Sequence, residues 1–141
     1  MEEMPITPDD RKTILIVDDE QLVRDLISGV FAHNDIYNVL VAETGEQGLR
    51  KSKEFKGEIH LLLTDFQMAG MSGIELATAM TVDRPNLKVL MMSSFPEGML
   101  LLNDGWHYVP KPFIPSQLRC LVAGLVSPDS KSRFAAAEPL N

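Results

Sequence analysis

Asp65 closes the run Leu61-Leu62-Leu63-Thr64, and Asp18, Asp19 and Glu20 close the run Thr13-Ile14-Leu15-Ile16-Val17. Ser93 and Lys111 follow two further strand-like runs in the same way. Clustered carboxylates repel one another, and a hard divalent cation relieves that repulsion. Mg²⁺ suits such a cluster, because it takes octahedral oxygen ligands, commonly one or two carboxylates with waters and phosphate oxygens. Beside such an ion a carboxylate can act as nucleophile toward phosphorus and form an aspartyl phosphate. The transferred group spreads its charge over equatorial oxygens. Lys111 as a point charge and Ser93 as a hydroxyl donor would meet that charge. This chemistry requires a fold that gathers Asp18, Asp19, Asp65, Ser93 and Lys111.

The elements that must do so can be read from apolar periodicity. Leu61 to Thr64 has no amphipathic period and reads as a strand buried on both faces, as in the centre of a parallel sheet. Strands are also expected at Thr13–Val17, Asn38–Ala42, Leu87–Met92 and Trp106–Val109, the last at an edge. Between them, helical spacing puts Leu22, Val23, Leu26, Ile27, Val30 and Phe31 on one face. Thr44 with Gln47, and Ser72 with Glu75, have capping-box spacing and open two more helices. The first of these should run to about Phe55 and be stopped by Gly57, and the second should turn Ile74, Ala77 and Met80 inward. Pro85 stops it.

Pro96-Glu97 opens a very short periodic segment, Met99 to Leu102, before Asn103-Asp104-Gly105. Pro115 suits the first position of the last helix, with Leu118, Leu121, Val122 and Leu125 inside. Five strands alternating with five helices imply right-handed crossovers and an α/β fold, a three-layer sandwich with helices on both faces of the sheet. An open parallel sheet binds its ligands beyond the carboxyl ends of its strands. Asp18, Asp19, Asp65, Ser93 and Lys111 should therefore share one rim.

Composition narrows the classes. The 141 residues suit one domain, expected over 13–126 with loose tails at 1–12 and 127–141. Hydrophobic content of 45% with 23% charged residues is that of a globular protein. A net charge of −7 and a pI near 4.9, with no basic stripe, argue against a nucleic-acid partner. The single Cys120 excludes an intramolecular disulfide framework and a cysteine-cluster metal site. No apolar run approaches the ~20 residues that span a membrane, so a cytoplasmic protein is expected.

Taken in order, Ile16-Val17-Asp18-Asp19-Glu20, Asp65-Phe66-Gln67-Met68, Met71-Ser72-Gly73, Met92-Ser93-Ser94 and Lys111-Pro112-Phe113 resemble the receiver (CheY-like) domains of bacterial two-component response regulators. The resemblance covers Thr13 to about Leu125. It implies a five-stranded parallel sheet in the flavodoxin-like order 2-1-3-4-5. Asp65 would be the phosphoacceptor, Asp19 a direct Mg²⁺ ligand, Asp18 a ligand mainly through water, and the Gln67 main-chain carbonyl a further ligand. Lys111 matches the phosphate-binding lysine, with a cis bond to Pro112, while Ser93 and Tyr108 match the switch pair. A sensor histidine kinase or phosphotransfer protein would be the donor, and the chain would catalyse only transfer to its own aspartate.

Three departures stand out. Ala69 occupies a position where the family commonly has proline, and Pro110 precedes Lys111. Ser93 and Lys111 lie 111 − 93 = 18 positions apart, about one helical turn, roughly four residues, below the family norm. The fourth helix should therefore be shortened, leaving apolar residues of the 95–110 region available for a homodimer or another protein. The chain after the last helix is too short for an effector unit, so the domain is expected to act alone through a partner.

Blander readings compete with each assignment. Asp18-Asp19-Glu20 could simply complement a helix dipole, which remains the reading for Glu20. Ser93 could form a turn, Tyr108 pack an edge strand and Lys111 sit in solvent. Lys111 and Ser93 are expected on a solvent-facing rim, where their loss should spare folding. Met91 and Met92 read as core, and Cys120 as a structural residue on or beside the apolar face of the last helix. His33, His60 and His107 lack metal-ligand spacing. A haloacid-dehalogenase-like phosphatase would need Asp-x-Asp after the first strand, where adjacent Asp18-Asp19 stands. A flavodoxin-like nucleotide binder would need a glycine-rich loop there.

Overall fold

The computed structural model describes residues 11–32, 36–94 and 106–126. Five strands, β1 (Lys12–Val17), β2 (Tyr37–Ala42), β3 (Leu61–Asp65), β4 (Lys88–Ser93) and β5 (Trp106–Pro110), form one parallel sheet in the order β2-β1-β3-β4-β5. Four helices are present among the described residues: α1 (Gln21–Ala32), α2 (Gly45–Glu54), α3 (Gly73–Asp83) and α4 (Pro115–Val126). The shortened helix expected near 99–102 falls in 95–105, outside the described residues. So does most of the segment expected to self-associate.

The two-residue period of the strands divides the core in two. Ile14, Ile16, Leu61, Leu63, Leu90 and Met92 pack on one face with Ile27 and Phe31 of α1 and Leu118 and Val122 of α4. Leu15, Val17, Leu62, Val89 and Met91 pack on the other with Leu76, Ala77 and Met80 of α3 and the flank of α2. This is the three-layer sandwich expected from the alternation. Register then fixes the rim. Val17 pairs with Thr64, Asp65 with Met92, and Ser93 with Pro110. Asp18 and Asp65 therefore stand level, with Ser93 one step beyond and Lys111 one step further.

Several local expectations change. The apolar stripe of α1 is wider than the face it buries: Leu22 is 83% exposed and Leu26 49% exposed. The helix buries only its Ile27, Val30 and Phe31 side, with Val23 at the margin. Leu76 of α3 is fully buried, whereas Ile74 is only partly so. The capping of α3 by Ser72 and Glu75 is reciprocal, as expected. At α2, Thr44 accepts from the Gln47 amide, but the Gln47 side chain accepts from Glu43 N and not from Thr44. That helix ends at its cap Phe55, as expected, with Gly57 just beyond. Cys120 is exposed, because two residues beyond Leu118 is about 200° around the helix, away from the face of Leu118, Val122 and Leu125.

Candidate functional site

The Asp18 carboxylate is fully buried at the end of β1, and each of its oxygens has a protein partner. Its Oδ1 accepts from the Glu20 amide at 2.9 Å, forming the turn into α1. Its Oδ2 accepts from Lys111 Nζ at 3.1 Å, and its main-chain oxygen accepts from Arg24 Nη1 at 2.8 Å. Asp19, next along, is exposed. Asp65 Oδ1 lies 3.2 Å from the same Lys111 Nζ. One ammonium thus bridges two carboxylates from two adjacent strands.

Ligand oxygens of Asp18, Asp19 and Asp65 lie within 4.8 Å of one another. Beside them opens a cavity of about 420 Å³ lined by Asp19, Glu20, Asp65, Gln67, Ser93, Ser94 and Lys111. Burial, reinforced by the charges of Asp18 and Asp19, pushes the Asp65 carboxyl up to about 6, against the pull of Lys111. Burial also opposes the charge on Lys111, yet the hydrogen bond it donates to Asp18 and the charge of Asp65 outweigh it and raise the ammonium above its ordinary value. A single cation therefore faces three acids. All the surplus donors are oxygens, so the site fits a hard dication. Asp19 and Asp65 have oxygens open for direct contact, whereas each Asp18 oxygen already accepts one protein hydrogen bond and keeps a second lone pair, enough to hold a water between it and the ion.

Ser93 is buried at 2% exposure, so it sits under the rim instead of on it. Its main-chain oxygen accepts from the Lys111 amide at 2.8 Å and lies 3.4 Å from the Tyr108 hydroxyl. These contacts tie the end of β4 to β5. The Lys111–Pro112 bond is cis, as the resemblance implied. Asp18, Asp19, Asp65, Ser93 and Lys111 are all brought together, and Gln67 reaches the same cavity from the loop after β3. Sequence reasoning missed Glu20 and Ser94 in the lining and Arg24 beneath it. Their only signal was adjacency to Asp18-Asp19 and to Ser93. Among the described residues, no helix is long and apolar enough to cross a membrane.

The family model described as the response regulator receiver domain matches residues 14–123. The two-component response regulator ARR21 of Arabidopsis thaliana is 32% identical over 107 residues, which are 74% of this chain and 17% of ARR21. The response regulator protein VraR of Staphylococcus aureus (strain Mu3 / ATCC 700698) is 38% identical over 85 residues, 60% of this chain and 40% of VraR. The chain thus spans well under half the length of these curated relatives. With a plant protein among them, the resemblance does not by itself make the chain bacterial.

Solved structures agree. TrrA of Thermotoga maritima, crystallised with Mg(2+)-BeF, superposes with a TM-score of 0.69 at 30% identity, covering 81% of this chain and 98% of that one. The receiver domain of the hybrid histidine kinase CckA gives 0.72 at 28% identity, covering 82% and 99%. Neither the phosphatase nor the nucleotide-binding reading is favoured beside these matches. Sheet order, rim and family model agree, and this chain belongs to the response regulator receiver domains.

Proposed function

We propose that Asp65 accepts a phosphoryl group from a sensor histidine kinase or phosphotransfer protein and that the chain passes this state on as a conformational switch. The observation that carries the reading is the Lys111 ammonium held 3.1 Å from Asp18 and 3.2 Å from Asp65 at the mouth of an oxygen-lined cavity. In the transfer, an Asp65 oxygen forms a bond to phosphorus as the bond from phosphorus to the donor's imidazole nitrogen breaks, its electron pair returning to the ring. Lys111 moves from the carboxylate to the phosphoryl oxygens, and the Ser93 hydroxyl donates to another. Bound Mg²⁺, held by Asp19, Asp65 and the Gln67 carbonyl with Asp18 behind, would supply charge neutralisation for those oxygens.

The switch would start at Ser93. Drawing its hydroxyl toward a phosphoryl oxygen pulls the strand end whose carbonyl engages Lys111 N and Tyr108, so the event at Asp65 is carried to β5. Receiver domains are signal transducers, and we place this one in a cytoplasmic phosphorelay, without nucleic-acid or membrane contacts of its own. Treatment with acetyl phosphate and Mg²⁺ tests the reading by intact mass. Wild type should gain one phosphoryl group, and both Asp65→Asn and wild type in excess chelator should gain none. Labelling of Asp65→Asn at the wild-type rate would overturn it.

A further inference from the structure

We infer that Glu46, on the first turn of α2 and outside the cavity, is a positioning residue for the metal site, because it clamps the loop that carries Gln67. The inference rests on the metal-binding reading above and extends it to a residue that touches neither metal nor phosphate. The loop runs from Phe66 to Ser72. Its base is closed by Phe66, whose amide donates to Met92 O at 2.8 Å and whose carbonyl accepts from Gly73 N at 3.1 Å. That return is so close that a Cβ on Gly73 would sit 2.1 Å from the Asp65 carbonyl oxygen.

The far side of the loop is held from α2. Glu46 Oε2 accepts from the Met71 amide at 3.2 Å. Gly70 beside it turns at φ 77°, and a Cβ there would lie 3.0 Å from the same carboxylate oxygen. Gly45 packs directly on Met71, where a side chain would come within 2.8 Å of Met71 Cβ. Between these two anchors lie Gln67, Met68 and Ala69. Ala69 leaves φ free where a proline would fix it, so the span depends on its ends for a defined position. A loop delivering a carbonyl ligand must hold it within a few tenths of an ångström, since Mg²⁺ demands near-ideal geometry. An acid in the first turn of a helix also complements the helix dipole, but that role would not need the Met71 amide.

The test compares Glu46→Ala and Glu46→Gln with wild type. Isothermal calorimetry measures Mg²⁺ affinity, hydrogen exchange measures the Gln67–Met71 amides, and thermal melts are taken without metal. Losing a bond of this kind is worth roughly three- to ten-fold in an equilibrium. Glu46→Ala should therefore weaken Mg²⁺ binding about that much and speed exchange at Met71, with little change in the metal-free melt. Glu46→Gln keeps an acceptor oxygen and should restore both. Wild-type affinity in Glu46→Ala would overturn the clamp. An equal loss in Glu46→Gln would assign the effect to charge and overturn it as well. If wild type itself binds no Mg²⁺, the metal reading fails, and the inference with it. Faster exchange at Met71 in Glu46→Ala would then show a clamp that is only structural.

Discussion

At the scale of single residues, the site is under electrostatic stress that the rest of the fold offsets. The Asp65 carboxyl titrates near 6 in the fold against 3.8 in the unfolded chain. A folded value above the unfolded one means the native state binds more protons in that window, so this contribution to stability falls as pH rises from about 4 to 6. Above pH 6 its full cost is present. Asp65→Asn should therefore raise stability at pH 7 by about 1 kcal/mol, after allowance for screening at a partly open site, and the gain should vanish near pH 4. Urea melts at the two pH values check this. Lys111, by contrast, stabilises the fold. Sequence alone placed it on an open rim, where Lys111→Ala would spare the fold. Its partner Asp18 is instead wholly buried, and losing the ammonium strands that charge. Lys111→Ala should cost about 2–3 kcal/mol, and much of that should return in the double variant Asp18→Asn/Lys111→Ala. Burial of Asp18 could not be read from a sequence in which it stands beside exposed Asp19. It follows from the Glu20 amide and Lys111 converging on it, a contact 93 positions apart.

Elements were more legible than their contacts. Runs such as Leu61–Thr64 and capping pairs such as Ser72 and Glu75 are local signals, and the strands and helix starts they mark are where they should be. What holds one element to another was less visible. Arg84, at the end of α3, donates to Ser52 Oγ, Ser52 O, Phe55 O and Gly57 O, closing the carboxyl end of α2. Nothing around Pro85 announced this. Arg84→Ala leaves those carbonyls without a partner and should cost about 2 kcal/mol, with Arg84→Lys recovering only part, because an ammonium cannot fork across four acceptors. Thermal melts decide it. His60 likewise reads as unassigned, yet its Nδ1 accepts from the Thr13 amide at 3.0 Å and its own amide donates to Thr13 O at 2.9 Å, joining β3's lead-in to β1. Burial holds its imidazole below the ordinary 6.5. A depressed histidine costs stability as pH falls below 6.5, opposite in sign to Asp65. His60→Asn retains an acceptor that does not titrate, and it should lose less stability than wild type between pH 7 and 5.

For the whole molecule, the shared rim was legible because β1, β3, β4 and β5 each lead into a polar site residue and parallel register sets those ends side by side, whereas the strand order came with the family resemblance. The outer surface was not. Leu22 and Leu26 look like core by spacing but stay exposed, and no periodicity says how much of a helix its neighbours cover. The charge of the whole follows the same logic as the site: net −7 overall, with three acids against one lysine at the rim. A ligand that binds only the native state stabilises it by mass action, so a dication drawn to that rim acts on global stability. At ten times its dissociation constant, Mg²⁺ should stabilise the chain by about 1.4 kcal/mol. For a domain of this size that is a rise of roughly 4 °C in melting temperature. The rise should shrink as pH falls through 6, where protons compete for Asp65, and should be smaller in Asp65→Asn at every pH. Na⁺ at matched ionic strength should not reproduce it, because screening acts on all the surface charge alike. An equal shift with Na⁺, or a full Mg²⁺ shift in a variant lacking both Asp19 and Asp65, would mean that the cation acts on the acidic surface at large and not at this rim.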